Sequence, residues 1–379
     1  MSLWFAGSAV APMLRTAWSL SDAQVGWLTT AVQLGFVAGT AIAALLNLPD
    51  VIPSRTLFAT SAVAGAVANL GLAYTTSPPL AFVSRFVAGA CLAGVYPPAM
   101  KMAATWFRAR RGIAVGAIVG ALTIGKAGPY LLSAVPGATV GGITWLASLS
   151  AVVAAIIVAV GYRDGPHAFP ARPFAWSRLG GVVRSRPWRL ALGGYLGHMA
   201  ELYAYWTWIP AFLAASALRD PHALTASASP AVRVLAFAVI AVGGAGCVWG
   251  GLVADRIGRV PLVFRALAVS TACCAAVGLA FGQSLWLLAP IALVWGFFII
   301  ADSAQFSVLV TESVEPHAVG TAITLQVSLG FLLTTGTIQL VPVVVRTLGW
   351  PWVFALLAIG PALGMVAVAR FTRLAPTPR

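Results

Sequence analysis

Lysine occurs only twice in this 379-residue chain, and both copies interrupt apolar sequence. Lys126 stands in "GALTIGKAGPYLL" (120–132) and Lys101 in "VYPPAMKMAATWF" (95–107). Two acids interrupt apolar runs in the same way: Glu201 in "GHMAELYAYWTWIP" and Asp302 in "FFIIADSAQFSVL". A charge in apolar surroundings is costly and is kept where it faces water, a partner or a ligand. Lys126 can therefore neutralise an anionic group in a wet cavity, or pair permanently with Glu201 or Asp302 and tie two helices together. Its ammonium, unlike a guanidinium, can also release a proton. Glu201 is the first candidate for a proton carrier and Asp302 the second, because a desolvated carboxyl responds strongly to the charge bound beside it. His198 lies three residues before Glu201 on nearly the same helical face, where it can form a relay or hydrogen-bond another neighbour. Tyr203 and Tyr205 bring hydroxyls to the same helix, and Gln33, Tyr96, Tyr130 and Gln326 are mid-run polar groups able to complete a pocket. Lys101 follows Pro97 and Pro98, which break the local hydrogen-bond ladder. It belongs either to an anion path or to the headgroup region, and Arg85 reads as an interface or packing arginine.

The elements that must hold these side chains are membrane spans. Sixty per cent of the residues are hydrophobic and 8% are charged, a balance foreign to soluble domains of this size. A helix needs about 20 apolar residues to cross a bilayer core of about 30 Å. The pattern predicts twelve spans, near 1–14, 23–46, 56–75, 79–106, 112–133, 138–161, 190–216, 231–253, 263–282, 285–310, 318–344 and 350–370. The opening has no basic start and runs into a second apolar segment, so it is not expected to be a cleavable signal peptide. The first span is short: Pro12 aligns with Pro210, which some twenty residues precede in the seventh, and a shortened start is expected. Lys126 lies fourteen residues past Gly112. That is about 21 Å along a helix axis, too deep to snorkel. A lysine there costs on the order of 2.5–3.5 kcal/mol on insertion scales.

The net charge of +14 is a topology signal rather than a nucleic-acid footprint. With the N-terminus in the cytoplasm, sixteen arginines fall on the cytoplasmic side and four (Arg15, Arg219, Arg233, Arg346) on the other. This predicts a multi-pass protein of a bacterial-type inner (plasma) membrane with both termini cytoplasmic. Cys91, Cys247, Cys273 and Cys274 lie inside apolar runs without metal-ligand spacing and read as packing residues. No Walker-type phosphate loop, His-Glu-x-x-His or G-x-S-x-G occurs, which argues against ATP as energy source and against an intramembrane protease or acyl transferase. No metal or cofactor is expected.

The polar stretch 162–189 divides the twelve spans into six and six. "GGLVADRIGRV" (250–260) follows the eighth span as "LLNLPDVIPSR" (45–55) follows the second, so the halves repeat. The run Gly251 to Arg259, "GLVADRIGR", resembles the signature loop of the major facilitator superfamily of secondary transporters. Arg85 with Gly89 and Gly94, then "YPP" and "WFRARRG", resembles that family's fourth helix and following loop. The resemblance implies an all-α fold of two six-helix bundles, 1–161 and 190–379, around a cytoplasmic linker, 162–189. It implies a conformational latch at Gly251, Asp255, Arg256, Gly258 and Arg259. The N-terminal copy keeps Asp50 and Arg55 but has Pro53 and Ser54 where glycine and arginine are usual. It also implies that spans 1, 4, 7 and 10 line a cavity, flanked by 2, 5, 8 and 11. The expected function is proton-coupled transport of a small anion, an inorganic oxyanion or a carboxylate, by a monomer in the lipid bilayer. Lys126 would hold the charge and Glu201 or Asp302 the proton. The family's nitrate–nitrite branch is similar in layout, but its glycine-asparagine signatures are missing from the fifth and eleventh spans. The alternatives are an exporter of drugs or organic cations, with the two acids as cation site, and a transporter-like receptor.

Overall fold

A computed structural model describes residues 1–107, 111–167, 175–224 and 228–373, and among these the chain is helical with no strand. The N-terminal half comprises α1 (Ser2–Trp18), α2 (Asp22–Leu45), the single turn α3 (Leu48–Val51), α4 (Ser54–Tyr74), α5 (Pro78–Leu92), α6 (Tyr96–Trp106), α7 (Arg111–Ser133) and α8 (Val140–Gly161). A short helix, α9 (Trp176–Arg184), leads into the C-terminal half. There follow α10 (Arg186–Leu218), α11 (Pro230–Ala241), α12 (Gly243–Ile257), α13 (Arg259–Ala276), α14 (Leu285–Ala301), α15 (Ser303–Glu312), α16 (Val319–Thr347), α17 (Trp350–Leu357) and α18 (Ile359–Thr372).

Among the described residues, ten helical units are long and apolar enough to cross a membrane. Four of them join two consecutive α-helices: α5–α6, α11–α12, α14–α15 and α17–α18. The 17-residue α1 and the 33-residue α10 occupy the first and seventh of the expected span positions. The helix edges have local causes. Ser21 and Gln24 form a reciprocal capping box that starts α2, and Ser185 and Ser229 cap α10 and α11. Gly258, at φ +89°, makes the break between α12 and α13 in a conformation that side chains oppose. The prolines at 97 and 98 begin α6 directly after the break at 93–95.

Apolar side chains face outward as well as inward. On α8, Trp145, Leu146, Leu149, Val153, Ile156 and Ile157 are exposed, as lipid-facing residues are. The inward faces are small, so backbones approach closely. A Cβ on Gly35 of α2 would fall 1.9 Å from the Phe86 carbonyl of α5, and one on Gly89 of α5 2.0 Å from that of Val32. The C-terminal half repeats the arrangement: Gly246 of α12 abuts the Phe297 carbonyl of α14, and Gly296 of α14 abuts that of Val239 in α11. The halves meet along α7 against α11 and α12, and along α2 against α16. At the end where α1 finishes and α2 begins, Asp22 holds Arg15 at 2.6 Å and approaches Arg346 of α16 at 4.0 Å. That end is called the far end, and the opposite one the linker end.

Candidate functional site

The site is assembled from helical repeats of three and four residues. Trp4 and Ser8 share a face of α1, Lys126 and Tyr130 a face of α7, and Tyr203, Trp206 and Thr207 a face of α10. Lys126 is buried, and its Nζ donates to the Tyr203 hydroxyl at 2.6 Å. The ammonium lies 4.6 Å from the ring centroid of Trp4, 4.4 Å from that of Tyr203 and 4.3 Å from that of Trp206. Such cation–π contacts are worth about 0.5–2 kcal/mol each, enough together to offset the insertion cost of the lysine. The rings continue across the molecule: Trp4 meets Phe36 at 5.0 Å and Phe331 at 5.5 Å, and Phe36 meets Phe331 at 4.7 Å. The ion pair anticipated between Lys126 and Glu201 or Asp302 is not made, because aromatic faces occupy the lysine and each acid is held elsewhere.

One turn toward the far end, a cavity of about 330 Å³ lies between α1, α2, α7, α10 and α11. Ser8, Thr29, Tyr130, Ser133 and Thr207 contribute hydroxyls to its wall, and Arg233 is its one cation among the described residues. No carboxylate lines it among the described residues. The hydroxyls are tied down: Ser8 bonds Thr29, the Tyr130 hydroxyl donates to the Trp206 carbonyl at 3.2 Å, and Thr207 to that of Tyr203 at 2.7 Å. Arg233 donates to the Ser133 carbonyl, joining α11 to α7 across the two halves.

The two acids lie within the C-terminal half. Glu201 accepts from Ser270 of α13 at 2.6 Å and from the Trp295 indole of α14. Asp302 stands at the break between α14 and α15, with its Oδ1 3.0 Å from His198 Nδ1. That pair is close without being aligned as a hydrogen bond, so Asp302 Oδ1 has no hydrogen-bond partner among the described residues; nor has Nε2, the other nitrogen of the His198 ring. The relay expected between His198 and Glu201 is therefore replaced by a His198–Asp302 pair. The helix face shared by His198 and Glu201 turns one residue toward α15 and the other toward α13.

The remaining candidates separate. Gln33 accepts from Thr334 of α16 at 2.6 Å while its Nε2 has no partner among the described residues, and buried Gln326 has none at either polar atom. Tyr96 opens α6, away from the cavity wall. Tyr205 was expected to offer a hydroxyl to the pocket, but it turns away and donates to the carbonyls of Val239 and Ala292. Lys101 also leaves the site: its Nζ donates to the Pro49 carbonyl at 2.5 Å, beside α3. Arg85 is not at an interface with lipid. It is fully buried and donates to the carbonyls of Leu3, Trp4 and Leu28 and to Asn69, so one guanidinium ties α1, α2 and α4 to α5.

In the expected latch, Gly251 is buried in α12, while Asp255, Arg256 and Gly258 are exposed. Asp255 makes no ion pair among the described residues; the ion pair at this point joins Arg259 to Glu312 at 2.9 Å. Arg55 is exposed, and the side chain of Asp50 lies outside the described residues. Sequence reasoning missed Trp4, Ser8, Thr29 and Arg233. The spacing of Trp4 to Ser8 on one helical face was a signal, but nothing in it told a cavity face from a lipid face.

The family model described as Major Facilitator Superfamily matches residues 1–338. No curated protein matches the chain. The matched length, the ten apolar helical units and the loop at 251–259 agree, and the chain belongs to the major facilitator superfamily: it is a multi-pass membrane protein and a secondary transporter of small molecules.

Proposed function

We propose that the protein carries a small anion across the inner membrane coupled to protons, with Lys126 neutralising the substrate and the Asp302–His198 pair carrying the proton. The observation that supports this most directly is Lys126: a buried ammonium one turn beneath a cavity, with no carboxylate partner among the described residues. Its aromatic cage stabilises the charge without cancelling it, so the field at the cavity floor stays positive. Arg233 on the cavity wall adds to that field. With both termini in the cytoplasm, the cavity at the far end opens to the outside, and transport proceeds by the two halves rocking about the Lys126 layer. Asp302 is favoured over Glu201 as the proton site because its oxygen at the helix break is incompletely satisfied, whereas Glu201 already has two donors.

The test is thermal stability of the purified protein against a panel of small anions and lipophilic cations. A ligand that binds only the folded state raises the melting temperature by mass action. Stabilisation by an anion, lost in Lys126→Ala, is the expected result. Stabilisation by cations alone, or equally in both proteins, overturns the reading in favour of a cation exporter.

A further inference from the structure

The cavity toward the far end is rich in acceptors and short of donors. Six residues with hydroxyls line it. A carbonyl only accepts, so a hydroxyl bonded to one has committed its proton there. Thr16 gives its proton to the Pro12 carbonyl at 3.2 Å and Tyr130 to that of Trp206 at 3.2 Å. Ser133 gives its proton to the Tyr130 carbonyl at 2.7 Å, and Thr207 to that of Tyr203 at 2.7 Å. Ser8 and Thr29 bond each other, which commits one of their two protons. What this wall keeps is oxygen lone pairs. Two prolines on it add to them. Pro12 of α1 and Pro210 of α10 have no N–H, so the carbonyl four residues before each loses its helical donor. In α10 that carbonyl is Trp206, and the Tyr130 hydroxyl takes the place of the missing amide. In α1 it is Ser8, to whose carbonyl no side chain donates among the described residues.

Against these acceptors stands a single cation. The Arg233 guanidinium has five N–H donors and makes one described hydrogen bond, to the Ser133 carbonyl. A ligand has room beside it: the volume of about 330 Å³ lies at the low end of small-molecule sites, about 300–1,000 Å³. Nitrate brings acceptors only, so it suits Arg233 and sets lone pairs against the hydroxyl wall. A carboxylate on an alkyl chain leaves the acceptors of the wall unpartnered. A second carboxylate would have no second cation on the wall among the described residues. One carboxylate on a hydroxylated body meets both demands. The guanidinium holds the carboxylate in a two-pronged pair, and the ligand hydroxyls donate to the oxygens of Thr16, Ser133 and Thr207 and to the Ser8 carbonyl.

We infer that the anion this cavity takes is a polyhydroxylated monocarboxylate, its carboxylate on Arg233 and its hydroxyl protons on the acceptors of α1, α7 and α10. The inference rests on the anion reading proposed above, with Lys126 supplying the field beneath the floor and Arg233 the contact. The full-length protein in detergent is titrated with three six-carbon probes, gluconate, hexanoate and glucitol, and with nitrate and a lipophilic phosphonium cation, following melting temperature. Gluconate carries both the carboxylate and the hydroxyls, hexanoate the carboxylate alone and glucitol the hydroxyls alone. Gluconate is expected to bind about tenfold or more tightly than either of its two relatives. Arg233→Gln lowers gluconate affinity about tenfold. Thr207→Val, which keeps the shape and removes the oxygen, narrows the gap between gluconate and hexanoate. If Arg233→Gln fails to fold, because it also ties α11 to α7, the Thr207 variant decides. Gluconate binding no tighter than hexanoate binding, or unchanged in these variants, overturns the inference. Nitrate or hexanoate binding that needs Lys126, with none by gluconate, overturns it while the anion reading stands. Binding of glucitol or of the phosphonium alone overturns both.

Discussion

At the residue scale, two buried cations of the N-terminal half are treated differently. Arg85 is fully engaged by carbonyls of α1 and α2 and by Asn69, so its work is to hold helices. Arg85→Met should take the second donor from three helical carbonyls, leave Asn69 Oδ1 without one and lower stability by about 3–5 kcal/mol, read as a fall in melting temperature with poor yield. A melting temperature unchanged in Arg85→Met would show that the arginine holds nothing. Lys126 has a cage and one hydroxyl, so Lys126→Ala should reduce anion binding far more than folding. Lys126→Arg should not restore uptake, because the planar guanidinium is larger than the cage and does not release a proton. Full uptake by that variant would mean that charge alone suffices. Both cations were visible in the sequence, but their partners were not, since backbone carbonyls and ring faces leave no mark in composition.

At the element scale, glycine positions set which helices touch. Gly35 and Gly89 lie between α2 and α5 of one half, whereas Gly116 and Gly120 face the carbonyls of Cys247 and Gly244 across the two halves, where a Cβ would fall 2.6 and 2.7 Å away. Gly35→Ala should therefore destabilise the fold by about 1–3 kcal/mol or more through overpacking. Gly116→Ala should spare more of the stability and slow turnover, because it obstructs a surface that moves. Melting curves beside uptake rates in proteoliposomes separate the two, and equal loss of both in Gly116→Ala would count against movement there. The helix breaks at 93–95, 242 and 302 were only partly legible. Pro97 and Pro98 announced the first, while the break at Asp302 has no proline or glycine to mark it.

At the scale of the whole molecule, coupling requires a proton site whose state depends on how the halves stand. Asp302→Asn is expected to abolish proton-driven accumulation and to spare counterflow exchange. Glu201→Gln should retain accumulation, since the amide oxygen can still accept from Ser270 and Trp295. The reverse pattern in the same transport assay would assign the proton to Glu201. The exposed Arg259–Glu312 pair is screened by water. Glu312→Gln should change stability by less than about 1 kcal/mol, so any larger effect on uptake would come from conformational balance.

Family membership, helical class and the depth of Lys126, Glu201 and Asp302 follow from the sequence alone, because spans are written in runs of apolar residues and a buried charge stands out against them. Which side chains meet was decided only by tertiary structure. In lipid, outward and inward faces are equally apolar, so periodicity does not say which way Tyr205 or Trp4 points. The packing of small residues sets the rotation of each helix. That rotation put Trp4, Lys126, Tyr203 and Trp206 together, sent Tyr205 and Lys101 elsewhere, and gave His198 to Asp302 rather than to Glu201.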